Sequence, residues 1–456
     1  MLRLFLLLSL AMPALAQDPR LSVPYRLFTL PNGLTVILHE DHTTPSIGVN
    51  LWFRVGSARE RAGRTGMAHL FEHLMFEGSA HVPEGMFDLL LEAAGGDNNA
   101  STSSDRTNYW IDIPSNALEL ALYLESDRMG SLLQTMTPQT VDGQRDVVKN
   151  ERRQNYENAP YGMAWMVLAE HLYPEDHPYH WPTIGYMEDL SRASYEDVSA
   201  FFRTYYSPNN SSLCVAGDID PRETERLVRL WFSDIPRGPA PAPVAVPPIP
   251  ETGEQRLVMQ DRVQLPRLYL LWHTPALFAP GDAELDLLAH ILSEGEHSRL
   301  YRRLVYERQI AQDVAAFQYS QTLGSTFWIV ATARPGVGLG TLEQAIEQEL
   351  DELCAEGPTA RETERARNQI DVSFLTRLER VGGIYGKADL LNAYYTWTGN
   401  PDYFQEDRAR YGAVAPDDLR AVAMKYLGST MRVVLSVVPE GSLQLASGSG
   451  TEVHPR

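Results

Sequence analysis

The sequence predicts an α+β fold of two homologous domains, each an antiparallel-rich sheet packed with helices. Three observations lead there. Stretches with the two-residue alternation of strands are interleaved with pairs of helical stretches, so sheet and helices should pack as separate layers. The chain is broken near its middle by Ile235-Pro236-Arg237-Gly238-Pro239-Ala240-Pro241-Ala242-Pro243, continuing to Pro247-Pro248-Ile249-Pro250. Proline at that density cannot donate to a backbone ladder and favours an extended, semi-rigid connector. Finally, the two flanking stretches echo one another. Ser194-Tyr195-Glu196-Asp197-Val198 leads through a helix to Tyr205-Tyr206 and a strand at 212–216, and Ala415-Pro416-Asp417-Asp418-Leu419 leads to Tyr426-Leu427 and a strand at 432–437. Asp197 to Tyr205 and Asp418 to Tyr426 share one spacing, a sign of duplication.

At 456 residues the chain exceeds one core of ordinary size. Residues 1–16 are expected as a signal peptide, 17–235 as the first domain, 236–254 as the linker and 255–456 as the second domain. Arg3 supplies the positive start, Leu4 to Leu10 the apolar run, and Ala14-Leu15-Ala16 a small-x-small cleavage site before Gln17. That run is too short to span a bilayer, and no other stretch approaches the roughly 18 apolar residues a span needs. An uncleaved anchor is the competing reading of the same residues. Cleavage after Ala16 would leave a chain without a membrane span, periplasmic or secreted.

A content of 44% hydrophobic and 21% charged residues is that of a folded protein. The net charge of −20 excludes nucleic acid as a natural partner, because phosphate binding needs a basic footprint. Cys214 and Cys354 lie in opposite halves in apolar settings, which suits two free thiols better than a disulfide.

Taken in order, Tyr25 to Leu30 and Leu34 to His39 flank Pro31-Asn32-Gly33, and Asn-Gly between alternating runs predicts a hairpin. Ser46 to Val55 adds a strand. The stretch Gly66-Met67-Ala68-His69-Leu70-Phe71-Glu72-His73-Leu74-Met75-Phe76-Glu77-Gly78 predicts a helix of about three turns, capped by Thr65 and ended by Gly78. An amphipathic helix comes next, over Gly85 to Ala93. The alternation from Asn98 to Ile113 reads as strand, and further helices are expected at Asn116 to Ser131 and Pro138 to Asn158. Thr137 caps the last of these, Pro138 suits its first position, and Pro160 blocks its continuation.

The chemistry is concentrated on the first of these helices. His69 and His73 are four apart and Glu72 three from His69, so all three project from roughly one face. Two neutral imidazoles so placed can grip one Zn²⁺; a metal held by three protein groups keeps a fourth position for water, and a neighbouring carboxylate can take that water's proton. The competing reading is two core histidines satisfied by Glu72. On the helix from Pro138, Gln144, Val147, Val148 and Glu151 share one face. Glu151 is therefore a charge on a mostly apolar stripe, either paired with an arginine such as Arg152 or Arg153 or completing a His/His/Glu set. Aligning Gly78 with Gly295 places Asp286, Ala289 and His290 opposite His69, Glu72 and His73, so the second half lacks the site and His290 is expected to be structural.

His69-Leu70-Phe71-Glu72-His73, with Glu151 further along in Asp146-Val147-Val148-Lys149-Asn150-Glu151-Arg152-Arg153, resembles the inverted zinc signature of the pitrilysin-type (M16) metallopeptidases, the group of insulin-degrading enzyme and the mitochondrial processing peptidase. Also similar are Pro31-Asn32-Gly33-Leu34, the 99–109 strand with Asn99, Ala100, Thr102, Asp105, Thr107 and Tyr109, Asn158-x-Pro160-Tyr161-Gly162, and Ala216-Gly217-Asp218-Ile219. The resemblance implies a zinc endopeptidase acting on peptides or unfolded polypeptides. It implies one Zn²⁺ per chain held by His69, His73 and Glu151, Glu72 as base, and two halves closing as a clamshell. Asn99 and Ala100 would lie on an edge strand to which substrate adds.

Two departures qualify it. Members commonly carry a glutamate supporting the site from behind the ligands where this chain has Gln144, an amide that hydrogen-bonds without adding charge. Active members also carry an Arg and a Tyr in the second half that hold substrate; here Val305 and Gln312 stand there, beside Ser298-Arg299-Leu300-Tyr301-Arg302-Arg303-Leu304. The expected remedy is a homologous partner subunit supplying Arg and Tyr across the cavity. A homodimer, or local replacement by Arg302, Arg303 or Tyr306, is the alternative. A different class of function, a non-catalytic zinc-binding assembly or peptide-binding subunit, competes with the peptidase.

Overall fold

The Asn32-Gly33 turn closes the first hairpin as its residue types require, with Gly33 at φ 96°. Strands β1 (Arg26–Thr29) and β2 (Thr35–Glu40) pair antiparallel across it. The computed structural model describes residues 21–250, 253–428 and 430–455; the expected signal peptide lies outside them. The first half continues with β3 (Ser46–Phe53), α1 (Met67–Leu74), α2 (Met86–Ala93), β4 (Asp97–Thr102), β5 (Thr107–Pro114), α3 (Leu118–Thr135) and α4 (Pro138–Arg152). It ends with α5 (Ala164–Leu172), α6 (Met187–Arg192), α7 (Tyr195–Tyr205), β6 (Ser211–Gly217) and α8 (Pro221–Phe232). The strand order is β1-β2-β6-β3-β5-β4, with β2 and β6 parallel and every other pair antiparallel.

Two expectations need correcting. The single strand read over Asn98 to Ile113 is a hairpin, β4 and β5, turning at Ser103 to Arg106. The amide of Ser103 donates to the carbonyl of Arg106 (2.8 Å), and Ser103 Oγ accepts from the amides of Asp105 and Arg106 (both 3.2 Å). Alternation runs unbroken through so tight a turn, so periodicity could not reveal it, although Ser-Ser-Asp is turn chemistry. Helix α4 starts where expected, with Thr137 Oγ1 accepting from the amide of Thr140 (3.2 Å), but ends at Arg152 in a wider turn over Arg153–Glu157.

The second half comprises β7 (Gln255–Asp261), β8 (Arg267–Thr274), α9 (Asp282–Ser293), β9 (Ala311–Tyr319), β10 (Ser325–Ala333), α10 (Leu339–Glu356) and α11 (Ala360–Arg377). It closes with α12 (Lys387–Thr398), α13 (Phe404–Gly412), α14 (Pro416–Tyr426), β11 (Val433–Pro439) and β12 (Thr451–Glu452). Its order, β12-β7-β11-β8-β10-β9, repeats the first sheet strand for strand apart from the outermost member. Helices α10 to α14 come after their hairpin as α3 to α7 come after theirs, so the duplication inferred from two short spacings extends through each half.

Each sheet is apolar on both faces. Val36, Leu38, Val49, Leu51, Leu213 and Val215 face the helices of the first half, while Ile37, Cys214 and Ala216 face the other way. That second face is covered by α12, through Ala388, Leu391 and Tyr394. Reciprocally, Leu257, Met259, Leu271, Leu435 and Val437 of the second sheet are covered by Ala164, Val167, Leu168 and Leu172 of α5. Strands buried on both faces read as continuous hydrophobic runs, as β6 and β11 do. The polar exceptions on the α12 side are matched: Asp389 accepts from Trp52 Nε1 (2.8 Å), Asn108 Nδ2 (2.8 Å) and the amide of Tyr385 (2.9 Å). The proline-rich segment crosses between halves without helix or strand up to residue 250, held where the amide of Gly238 donates to Asn209 Oδ1 (2.8 Å). Cys214 is buried and Cys354 partly buried, and both are free thiols. Among the described residues, no helix is long and apolar enough to cross a membrane.

Candidate metal centre

Helix α1 is shorter than the sequence suggests, and its start is built differently. The residue before it, Gly66, sits at φ 85°, and a Cβ there would lie 2.8 Å from the carbonyl oxygen of Ile184. The helix-opening amides are taken by a carboxylate from the preceding loop: Glu60 Oε2 accepts from Gly66 (2.8 Å) and Oε1 from Ala68 (2.7 Å). Thr65, expected as the cap, instead donates its hydroxyl to Asp189 (2.8 Å) and accepts from the amide of Tyr186 (2.9 Å). The helix ends at Leu74 in a turn leading to Gly78. Met67, Leu70, Phe71 and Leu74 face the core, which turns His69, Glu72 and His73 towards α4 and the hairpin.

Glu151 on α4 meets them. Its Oε2 lies 3.2 Å from His73 Nε2 and 3.6 Å from His69 Nε2. The three ligand atoms lie within 4.8 Å of one another, the one such cluster among the described residues. Burial pushes the His69 pKa down against the pull of Glu151, which favours the neutral imidazole that a metal ligand requires. His69 Nδ1 is buried with no hydrogen-bond partner among the described residues. The hydrogen bond with His73 holds the Glu151 carboxyl below the usual range. Two imidazole nitrogens and one carboxylate oxygen converging on a point form a donor set that fits Zn²⁺. The arginines offered as alternative partners have other contacts: Arg152 pairs with Glu157 at 2.8 Å and Arg153 donates to Asn150.

Glu72 stands beside this cluster and outside it. Burial raises its pKa, opposed by a hydrogen bond from Thr102 Oγ1 (2.6 Å) and by His73 and Arg106. A carboxylate with raised proton affinity beside a metal position suits a general base. Strand β4, against which α1 packs, is the edge of its sheet and, among the described residues, pairs only with β5. Asn99 and Ala100 lie on it opposite Trp110 and Tyr109, and the amide of Ala100 is taken by Asn99 Oδ1 (2.8 Å).

The side-chain amide of Gln144 donates to Glu77 Oε1 (2.5 Å), on the turn after α1. Val305 is packed against the second core, and Gln312 is exposed on β9. Arg303 is bound to Glu349 and Glu352, Arg302 lies 3.5 Å from Glu307, and Tyr306 is fully turned out at 75% exposure. His290 Nδ1 lies 3.4 Å from Gln369 Oε1, a pairing on the counterpart helices α9 and α11. Glu60 was not legible as part of the site because it acts from a loop. Thr102 stood in the sequence only as one member of a strand pattern.

Residues 35–175 match the sequence model of the insulinase group, peptidase family M16, and residues 192–370 match that of the M16 inactive domain. A zinc protease, PqqE, of Helicobacter pylori is 29% identical over 417 residues, covering 90% of this chain and 92% of that protein. A probable mitochondrial-processing peptidase subunit beta of Arabidopsis thaliana is 25% identical over 418 residues, covering 88% and 76%. The crystal structure of a protease from Helicobacter pylori superposes with a TM-score of 0.85 at 27% identity, covering 92% of this chain and all of that one. A putative M16-like peptidase from Alicyclobacillus acidocaldarius shares the fold with a TM-score of 0.80 at 22% identity, covering 95% and 100%. With both halves matched, a sequence relation that spans nearly the whole chain, and the two-sheet architecture in common, the chain belongs to the M16 peptidase family.

Proposed function

We propose that the chain is a zinc-dependent endopeptidase hydrolysing peptides or unfolded polypeptides, with His69, His73 and Glu151 as the zinc ligands and Glu72 as the general base. The observation that carries this reading is the convergence of His69, His73 and Glu151 beside Glu72, next to the free edge of β4. Zinc held by His69, His73 and Glu151 would supply Lewis-acid polarisation of the scissile carbonyl and a more acidic attacking water. Glu72 takes the proton of that water and returns it to the leaving amine. The open edge at Asn99 and Ala100 receives the peptide backbone as an added strand, which requires Asn99 Oδ1 to release the amide of Ala100.

Val305 and Gln312 offer no cation or phenol to hold the substrate, so a homologous M16 subunit carrying Arg and Tyr completes the site in this reading. That one relative is by name a subunit supports it. Export to the periplasm or beyond is the reading of the signal-like residues 1–16. A second reading, a zinc-keeping assembly or peptide-binding subunit without catalysis, draws on the match of 192–370 to the inactive domain. Zinc content and peptide cleavage, measured for wild type and Glu72→Gln with and without a candidate partner, separate the two. Cleavage lost in Glu72→Gln establishes the peptidase; zinc bound without cleavage in every combination establishes the other.

A further inference from the structure

The hydroxyl that reaches Glu72 belongs to a hairpin gripped from both halves of the molecule. Thr102 Oγ1 donates to Glu72 Oε2 at 2.6 Å and lies 3.4 Å from Thr107 Oγ1. The hydrogen of Thr107 is given to the carbonyl of Val55 (2.9 Å), so Thr107 can only accept from Thr102, and the carboxylate at 2.6 Å outcompetes that 3.4 Å contact for the Thr102 hydrogen. Just past Thr102 the chain turns, and Asp105 at that turn is held by two groups at once. Its Oδ1 accepts from Tyr179 Oη (2.6 Å) and its Oδ2 from the amide of Thr322 in the second half (3.0 Å). Tyr179 Oη in turn accepts from the amide of Leu323 (3.0 Å). From the first half, the amides of Ser57 and Ala58 donate to the carbonyls of Ser103 (3.2 Å) and Ser104 (2.9 Å). That approach is so close that a Cβ on Gly56 would lie 2.2 Å from Ser103 O.

We propose that Thr102 is a positioning residue that aims the Glu72 carboxylate, and that Asp105, bound to the 322–323 segment of the second half, holds Thr102 in place. A carboxylate on a three-torsion side chain has many orientations, and proton transfer in catalysis needs one of them. The second half thus contributes to the reaction without touching substrate, by fixing the hairpin from which the base is oriented. This rests on the peptidase reading of Glu72.

The test compares Thr102→Val, Thr102→Ser and Asp105→Ala with wild type, as full-length zinc-loaded chain in the assembly that cleaves a fluorogenic peptide. Thr102→Val lowers kcat by about ten- to a hundredfold with KM and zinc stoichiometry unchanged, because an interaction made to the base is lost. Thr102→Ser, which keeps the donor, recovers kcat to within about threefold of wild type. Asp105→Ala speeds amide hydrogen exchange across 97–107 by about tenfold and lowers kcat less than Thr102→Val, since Ser57 and Ala58 still grip the turn. Wild-type kcat in Thr102→Val, an equal loss in Val and Ser, or unchanged exchange in Asp105→Ala overturns the inference. Absence of cleavage by wild type in every assembly overturns the peptidase reading instead, and the role assigned to Thr102 with it; the exchange measurement still decides whether Asp105 holds the hairpin.

Discussion

Oε2 of Glu151 faces two imidazoles at once, 3.2 Å from His73 Nε2 and 3.6 Å from His69 Nε2. Glu151 stands on a helix and in a stretch of sequence remote from both histidines. If this oxygen completes a zinc site, Glu151→Gln should bind zinc far more weakly than wild type while remaining folded. The check is melting temperature as a function of added zinc. A hundredfold excess over Kd stabilises the native state by about 2.7 kcal/mol, so wild type should shift upward at zinc concentrations that leave the variant unmoved.

Glu72 lies outside the ligand triad, so Glu72→Gln should keep one zinc per chain and lose peptide cleavage by roughly 10²- to 10⁴-fold. Atomic absorption on the same preparation used for kinetics decides whether the loss is chemical or a loss of metal.

Asp389 gathers donors from strands β3 and β5 onto a helix of the other half. In Asp389→Ala the indole of Trp52 and the amide of Asn108 are left buried without an acceptor. A loss of about 2–4 kcal/mol is expected from the unmet donors, read as a lower urea midpoint. The amide of Asp389→Asn could accept from one of these donors and should lose less.

In the second half, burial pushes Asp286 up to about 7 from its ordinary 3.8, with Tyr411 Oη donating to it at 2.8 Å. The folded state therefore binds this proton more tightly than the unfolded chain. The stability it contributes is complete below its unfolded value and is lost as pH rises through about 7. Asp286→Asn keeps an acceptor for Tyr411 and has no proton to lose. Melting temperatures at pH 5 and pH 8 should fall less between the two for the variant than for wild type.

Much of this architecture was legible because its signals are local. The Asn32-Gly33 hairpin, the Thr137-Pro138 helix start and the His69-Glu72-His73 face each come from a few adjacent residues and one periodicity. The features that escaped follow no simple period or cap spacing. Glu60 caps α1 from a loop, displacing Thr65, and no spacing rule connects them. The turn at Ser103 to Arg106 was hidden because alternation carries on through it. That Glu151 belongs to the histidines needed the family resemblance, since an isolated acid on an apolar stripe has two physical explanations.

The exchange of covering helices has a consequence for the order of folding. The first sheet is complete in sequence at β6, yet Ile37, Cys214 and Ala216 on its outer face are covered by α12. Some 170 residues separate the end of β6 from the start of α12. The first half alone therefore carries a bare apolar face, and a chain truncated before Lys387 should be the form that aggregates or holds a chaperone.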